Sequence, residues 1–199
     1  MTGTAPPRPN RAMVLAAGLG TRMRPLTDSV PKPLVDIAGR ALIDRVLDRL
    51  AAFGIAEAVV NAHHLADRLQ RHLAGRGDPP LRICCEAELL GVGGGVVNAL
   101  RHLAPGRQRA PFFVANADAL WLDGPTPALD RLADAWDDRR MDGLLLVMSA
   151  PRAAGMEGMG DFLLDPLGRL AWRAENQVAP YVYAGVQLVH RRLFAGAPS

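Results

Sequence analysis

The feature that most constrains the fold is an apolar run that stops on a glycine. Residues 11–17, Arg-Ala-Met-Val-Leu-Ala-Ala, are apolar after the first and end at Gly18. A continuous apolar run bounded by a turn signal suits a strand buried on both faces, as in a parallel sheet. Parallel strands need crossover helices, and the sequence supplies them. Leu42, Ile43, Val46, Leu47, Leu50 and Phe53 recur at helical spacing, and Gly54 closes the helix. Further strands are expected at 55–61, 81–85, 111–115 and 143–148, and further helices at 65–73, 93–103 and 126–139. The expected fold is therefore α/β: three-layer and Rossmann-like, with a mostly parallel central sheet covered by helices on both faces. Past residue 150 the alternation breaks. Residues 162–172 read as a hairpin around Asp165-Pro166-Leu167-Gly168, and 181–190 as one more strand.

A chain of 199 residues that is 49% hydrophobic can bury one sizeable core. The first ten residues are rich in Pro, Thr and Gly and lack the apolar stretch of a signal peptide. We read 1–10 as a loose tail and 11–199 as one domain. No apolar run is long enough to span a bilayer, so a cytoplasmic protein with no membrane partner is expected. The net charge of +3 is spread along the chain, with Arg interleaved with Asp as in Asp44-Arg45 and Asp48-Arg49. That pattern describes solvated helix faces, not a nucleic-acid surface. Adjacent Cys84 and Cys85 read as small hydrophobes in a strand, and His63 and His64 as surface-loop residues.

Residues 18–39 are rich in Gly, Pro and Thr, too irregular for a helix or strand, and long for a loop in a compact domain. Gly18 and Gly20 let the backbone approach a ligand and turn N–H groups toward phosphate oxygens. Arg22 adds a planar set of donors. Lys32, between Pro31 and Pro33, adds a fixed point charge. It is also the single lysine among 23 basic residues. Met23 stands where a dinucleotide fingerprint needs its third glycine, and no Gly-Lys-Ser/Thr of a Walker loop is present. Asn116-Ala117-Asp118 falls at the carboxyl end of an expected strand, the edge where ligands bind in open α/β sheets. A carboxylate there suits Mg2+, a hard ion that completes its shell with water and phosphate oxygens.

Leu15-Ala16-Ala17-Gly18-x-Gly20-Thr21-Arg22-Met23-x-Pro25-Leu26-Thr27, followed by Pro31-Lys32-Pro33-Leu34, resembles the signature of the sugar-phosphate nucleotidyltransferases. The resemblance implies a GT-A-like fold, Mg2+ dependence and release of pyrophosphate from a nucleoside triphosphate. It implies that Ala16, Ala17, Gly18, Gly20, Thr21 and Arg22 hold the nucleotide, with Gly93, Gly94 and Asn116 also on the nucleotide side. Lys32 would contact phosphate near the reacting centre, and Asp118 would be the metal carboxylate. Gly91 and Val92 stand where the family has an acidic residue and Thr beside the nucleobase. On the sugar side the resemblance points to Asp161, Gly185 and Gln187. The family also has a second metal carboxylate in a Trp-x-Asp-x-Gly-Thr-like stretch near the C-terminus. None occurs here, so the chain is expected either to be truncated or to use one protein carboxylate.

The whole of 15–199 resembles N-acetylmuramate-1-phosphate uridylyltransferases of cell-wall recycling, with mannose-1-phosphate guanylyltransferase-like proteins close behind. The expected reaction joins a nucleoside monophosphate from UTP, or alternatively GTP, to a sugar 1-phosphate. A rival reading is a non-catalytic nucleotide-sugar sensor on the same fold. A dinucleotide-dependent dehydrogenase is disfavoured by Met23 and by the Pro-Lys-Pro segment.

Overall fold

In the computed structural model, which describes residues 8–106, 110–153 and 158–197, the apolar run becomes strand β1 (Arg11–Leu15) in the interior of the sheet. Its Ala12, Met13 and Val14 have no solvent exposure. The stretch after it, expected to be without regular structure, holds short pieces: helix α1 (Leu26–Ser29) and a ribbon of β2 (Asp36–Ile37) with β3 (Arg40–Ala41). Local hydrogen bonds make them, such as Gly39 N–H to Asp36 Oδ1 at 2.8 Å. They are too short for a hydrophobic period to reveal.

The alternation then follows: α2 (Leu42–Phe53), β4 (Glu57–Ala62), α3 (Ala66–Leu73), β5 (Leu81–Cys85), α4 (Gly91–Leu103), β6 (Phe112–Asn116), α5 (Ala128–Ala135) and β7 (Gly143–Ser149). Strands β8 (Phe162–Leu164) and β9 (Leu170–Trp172) form the expected hairpin, and β10 (Tyr181–Val189) closes the series. Helix α5 is shorter than the 126–139 expected. At its start the Ala128 N–H bonds to Asp123 Oδ1 at 2.8 Å. At its end Trp136 turns extended with its side chain buried, and Asp137 caps a turn through its own side chain.

One 8-stranded sheet runs β5-β4-β1-β6-β10-β8-β9, with β7 on the other side of β10. Strands β5, β4, β1 and β6 are parallel. Strand β10 is antiparallel to both β6 and β7, so β7 points the same way as the parallel set. Period-2 alternation sends Ala12 and Val14 to one face with α2, α3 and α5, and Met13 to the other with Val96, Ala99 and Leu103 of α4. The result is three layers. Each fully buried Phe, such as Phe112 and Phe113, contributes about 1.5–3 kcal/mol of hydrophobic stabilisation. The two cysteines lie in β5 as expected; Cys84 packs against the α4 side and Cys85 is exposed.

Residues 1–7 of the expected loose tail lie outside the described residues. The remaining three are held: Arg8 ion-pairs with Asp130 and lies over the Phe53 ring at 4.5 Å, and the Asn10 carbonyl accepts from Ala56 N–H. No described helix is long and apolar enough to cross a membrane.

Candidate active site

Strand order decides where the site lies. From β1 the chain goes to β4 and β5 on one side, then returns to β6 on the other. The order reverses between β1 and β6, and the carboxyl edge at such a reversal opens into a crevice. Leu15, the last residue of β1, pairs in register with Asn61 of β4 and Asn116 of β6. Everything just beyond Leu15, Asn61 and Asn116 therefore gathers at one edge. A cavity of about 390 Å3 opens there.

Ala16, Ala17, Gly18, Gly20, Thr21, Arg22, Lys32, Asn116 and Asp118 all line this cavity, from stretches more than 80 positions apart in the chain for Lys32 and Asp118. Gly20 has φ 65°, and a Cβ on it would lie 2.9 Å from Thr27 Cγ2 and 3.2 Å from Lys32 Cβ. Only glycine meets both conditions. Thr27 is buried, and its Oγ1 donates to the Gly20 carbonyl at 2.8 Å. This internal tie shapes the loop into which Arg22 is set. Arg22 is exposed and has no hydrogen-bond or ion-pair partner among the described residues. Lys32, by contrast, donates through Nζ to Asp118 Oδ2. A cation with spare donors, a second cation and a carboxylate thus face one cavity.

Two polar residues that the sequence reading left out organise the other wall. Asn61 lines the cavity. Its Oδ1 accepts from Ala16 N–H at 2.8 Å, and its Nδ2 donates to Glu86 Oε1 at 2.7 Å. Glu86 Oε2 accepts from Leu90 N–H at 3.2 Å. Asn61 is 3% and Glu86 7% exposed, so the relay is buried and satisfied. It registers the loop after β1 against the segment leading into α4. A signal existed: Asn61 and Glu86, like Asn116, are polar residues at the carboxyl ends of apolar strands. Gly91 and Val92 line the cavity, whereas Gly93 and Gly94, expected on the nucleotide side, do not. The glycine under pressure is Gly95, where a Cβ would lie 2.8 Å from Asn61 Nδ2 and 3.0 Å from Glu86 Oε1.

The histidine pair lies in the loop after β4, as expected, but both side chains are half-buried and tied down. His63 Nδ1 donates to the Glu86 carbonyl and His64 Nε2 to the Thr27 carbonyl, each at 2.9 Å. No group of three or more His, Cys, Asp or Glu that could hold a metal occurs among the described residues. On the expected sugar side, Gly185 lies beside Asn116, within 3.4 Å of its Nδ2 for a Cβ built there. Asp161 Oδ2 accepts from Tyr183 N–H at 2.8 Å, and the β10–β7 register shifts between Tyr183 and Gln187. Burial raises the Tyr183 phenol above its ordinary value. Gln187 sits in the sheet opposite Val114 and Leu145. Asp161, Gly185 and Gln187 are not on the cavity lining.

The MobA-like NTP transferase domain matches residues 12–187. Over 195 residues the chain is 43% identical to the N-acetylmuramate alpha-1-phosphate uridylyltransferase of Caulobacter vibrioides, a span of 96% of this chain and 79% of the relative. A protein of the same name from Neisseria meningitidis serogroup B is 34% identical over 196 residues, or 94% of this chain and 78% of that one. Among solved structures, HddC from Yersinia pseudotuberculosis, complexed with GMP-PN, aligns with a TM-score of 0.71. That alignment is 20% identical and covers 96% of this chain and 80% of the other, a likeness of fold. Sheet order, crevice and relatives agree, and the chain belongs to the MobA-like NTP transferase family.

Proposed function

We propose that this protein transfers uridylate from UTP to N-acetylmuramate 1-phosphate, releasing pyrophosphate, within a single nucleotidyltransferase domain spanning 11–199. The observation that carries the reading is the meeting of Arg22, Lys32 and Asp118 on one cavity at the carboxyl edge of the parallel strands. The two uridylyltransferase relatives, matched over nearly the whole chain, support the choice of substrates.

The chemistry needs no protein nucleophile and no general base. An anionic oxygen of the sugar 1-phosphate attacks the α-phosphorus in line. A new P–O bond forms as the bond to the β-phosphate oxygen breaks, and pyrophosphate leaves with that electron pair. The protein's share is positioning and charge stabilisation. In this reading Arg22 holds the departing pyrophosphate. Lys32 leaves Asp118 to sit between the two approaching anions. Backbone N–H groups of 16–21 orient the triphosphate, and Gly185 and Asp161 lie toward the sugar.

Asp118 is a partly exposed carboxylate on a cavity with no thiolate or clustered His. That donor set fits Mg2+, with one protein oxygen and the rest from water and phosphate, and does not fit a metal that wants nitrogen or sulfur. Bound there, Mg2+ supplies charge neutralisation to the phosphates. We place the reaction in the cytoplasm, in the reuse of a cell-wall sugar.

A second reading is guanylyl transfer to mannose 1-phosphate. Proteins named mannose-1-phosphate guanylyltransferase match in part; a probable one from Arabidopsis thaliana is 36% identical over 116 residues, 55% of this chain and 32% of that one. Pyrophosphate release, measured for UTP and GTP against a panel of sugar 1-phosphates, separates the two. UTP with N-acetylmuramate 1-phosphate is expected to give the highest kcat/KM. Release with no pair, alongside nucleotide binding, would replace both readings with a non-catalytic binder.

A further inference from the structure

We propose that His64 is a positioning residue for the phosphate loop, acting on it from behind through Thr27. The proposal rests on the reading of residues 18–39 as the loop that grips the triphosphate. His64 is not on the cavity lining. Its Nε2 faces the Thr27 carbonyl at 2.9 Å, and a carbonyl only accepts, so Nε2 carries the proton. Thr27 is 1% exposed and passes the restraint on, because its Oγ1 donates to the Gly20 carbonyl and its Cγ2 fills the space a Gly20 side chain would need. Gly20 in turn adjoins Thr21 and Arg22, and its Cα backs onto Lys32. The imidazole is thus two contacts away from Gly20, which packs against Lys32 and lies two residues before Arg22.

A second observation points the same way. Leu65, the next residue, has φ 51° and ψ 38° at the N-terminus of α3. A non-glycine residue in this left-handed region is strained, and such strain persists only where its surroundings enforce it, often at functional sites. Here it turns the chain sharply between His64, which bonds to Thr27, and α3, from which Arg68 bonds to the Ser29 carbonyl. Both ties hold the same short helix α1. A loop of this length, with little regular structure, needs such outside ties to present Arg22 and Lys32 in one geometry, and preorganisation of that kind lowers the cost of binding.

The test is steady-state kinetics with UTP and the sugar 1-phosphate varied separately, together with thermal unfolding, for wild type, His64→Leu, His64→Gln, Thr27→Val and Arg22→Ala. His64→Leu removes the donor and is expected to raise the KM for UTP by about five- to tenfold, the size of one net hydrogen bond. The KM for the sugar 1-phosphate should stay within about twofold of wild type by the same measure. His64→Gln, whose amide can donate at similar reach, should recover most of the loss. Thr27→Val keeps the shape and removes the tie to Gly20, so it should reproduce the UTP-selective defect even if His64→Leu fails to fold. An unchanged KM for UTP in His64→Leu, equal shifts for both substrates, or no recovery with Gln would overturn the role of His64. Arg22→Ala keeps the two ideas apart. If it leaves the KM for UTP unchanged, the phosphate-loop reading itself falls. If it raises that KM while His64→Leu does not, only the inference about His64 falls.

Discussion

Lys32 and Asp118 are the pair on which the proposed chemistry turns, and they bond to each other across the cavity with side chains 26% and 32% exposed. An ion pair that open to solvent contributes at most about 1 kcal/mol to stability. A cation aimed at developing phosphate charge is worth far more to the transition state, roughly 100- to 1,000-fold in kcat by analogy with the loss of one oxyanion donor. Lys32→Ala should therefore lower kcat by about that factor while moving the Tm by only a few degrees, about the shift 1 kcal/mol produces. Parallel measurement of kcat and Tm checks it, and a matching fall in both would deny the lysine a catalytic role. Asp118→Asn keeps the shape and removes the charge. Its activity should lose its response to Mg2+ titration, and Mn2+ binding followed by electron paramagnetic resonance should weaken in step. At this scale the gathering of Arg22, Lys32 and Asp118 on one cavity was legible because each lies in a short run of distinctive residues. For Asn61 and Glu86 only the position at a strand end was legible; their partners, 45 and 25 positions away, were not, nor was that of His64, 37 positions away. Spacing along the chain carries no sign of such contacts.

Helix α4 shows how a element's sequence and its surroundings can ask for different things. Three successive glycines, Gly93 to Gly95, sit in its first turns, where alanine would favour the helix by about 1 kcal/mol at each position. Their neighbourhoods differ. A Cβ on Gly93 meets nothing within 4 Å, one on Gly94 lies 3.0 Å from Leu90 Cβ, and one on Gly95 runs into both Asn61 and Glu86. Gly93→Ala should then raise stability by about 0.5–1 kcal/mol. Gly95→Ala should cost about 1–3 kcal/mol through overpacking and loss of the buried relay. Denaturant midpoints for the two variants give the comparison, and equal midpoints would mean that the relay does not constrain the helix. The sequence showed that a helix begins near these glycines but not which of them is pressed. Helix α2 was the opposite case. Its apolar stripe and the closing Gly54, at φ 93°, reflect a face buried on the sheet and a left-handed cap, both local properties. Helix α5 fell between, since its apolar period runs on to Trp136 while side chains of Asp123 and Asp137 govern its ends.

For the molecule as a whole, the layers follow from alternation and the site's edge from strand direction, and both were legible. The place of β10 was not. It enters between β6 and β7, antiparallel to each, and nothing in its own residues distinguishes that slot from an outer edge. Yet this placement sets Gly185 against Asn116, so the sugar side of the proposed cleft is built from the last strand and the nucleotide side from residues 16–35 and 89–92. The two halves should respond to different ligands. UTP with Mg2+ is expected to reduce amide hydrogen exchange in 16–35 and 89–92, whose backbone lines the cavity or carries it, because a bound ligand shifts local opening toward the closed form. The hairpin β8–β9 and the 181–185 end of β10 should change little until the sugar 1-phosphate is added. Core amides of β1 and β4, with Ala12–Val14 and Ala58–Val60 fully buried, are expected to open only with global unfolding and to gain protection only through the rise in overall stability. Protection of β8–β9 by UTP alone would move the nucleotide to the wrong half of the cleft. Protection of 16–35 by the sugar 1-phosphate alone would exchange the two sites. Only the ordered response, loop first and hairpin second, agrees with a cleft whose halves come from separate parts of the chain.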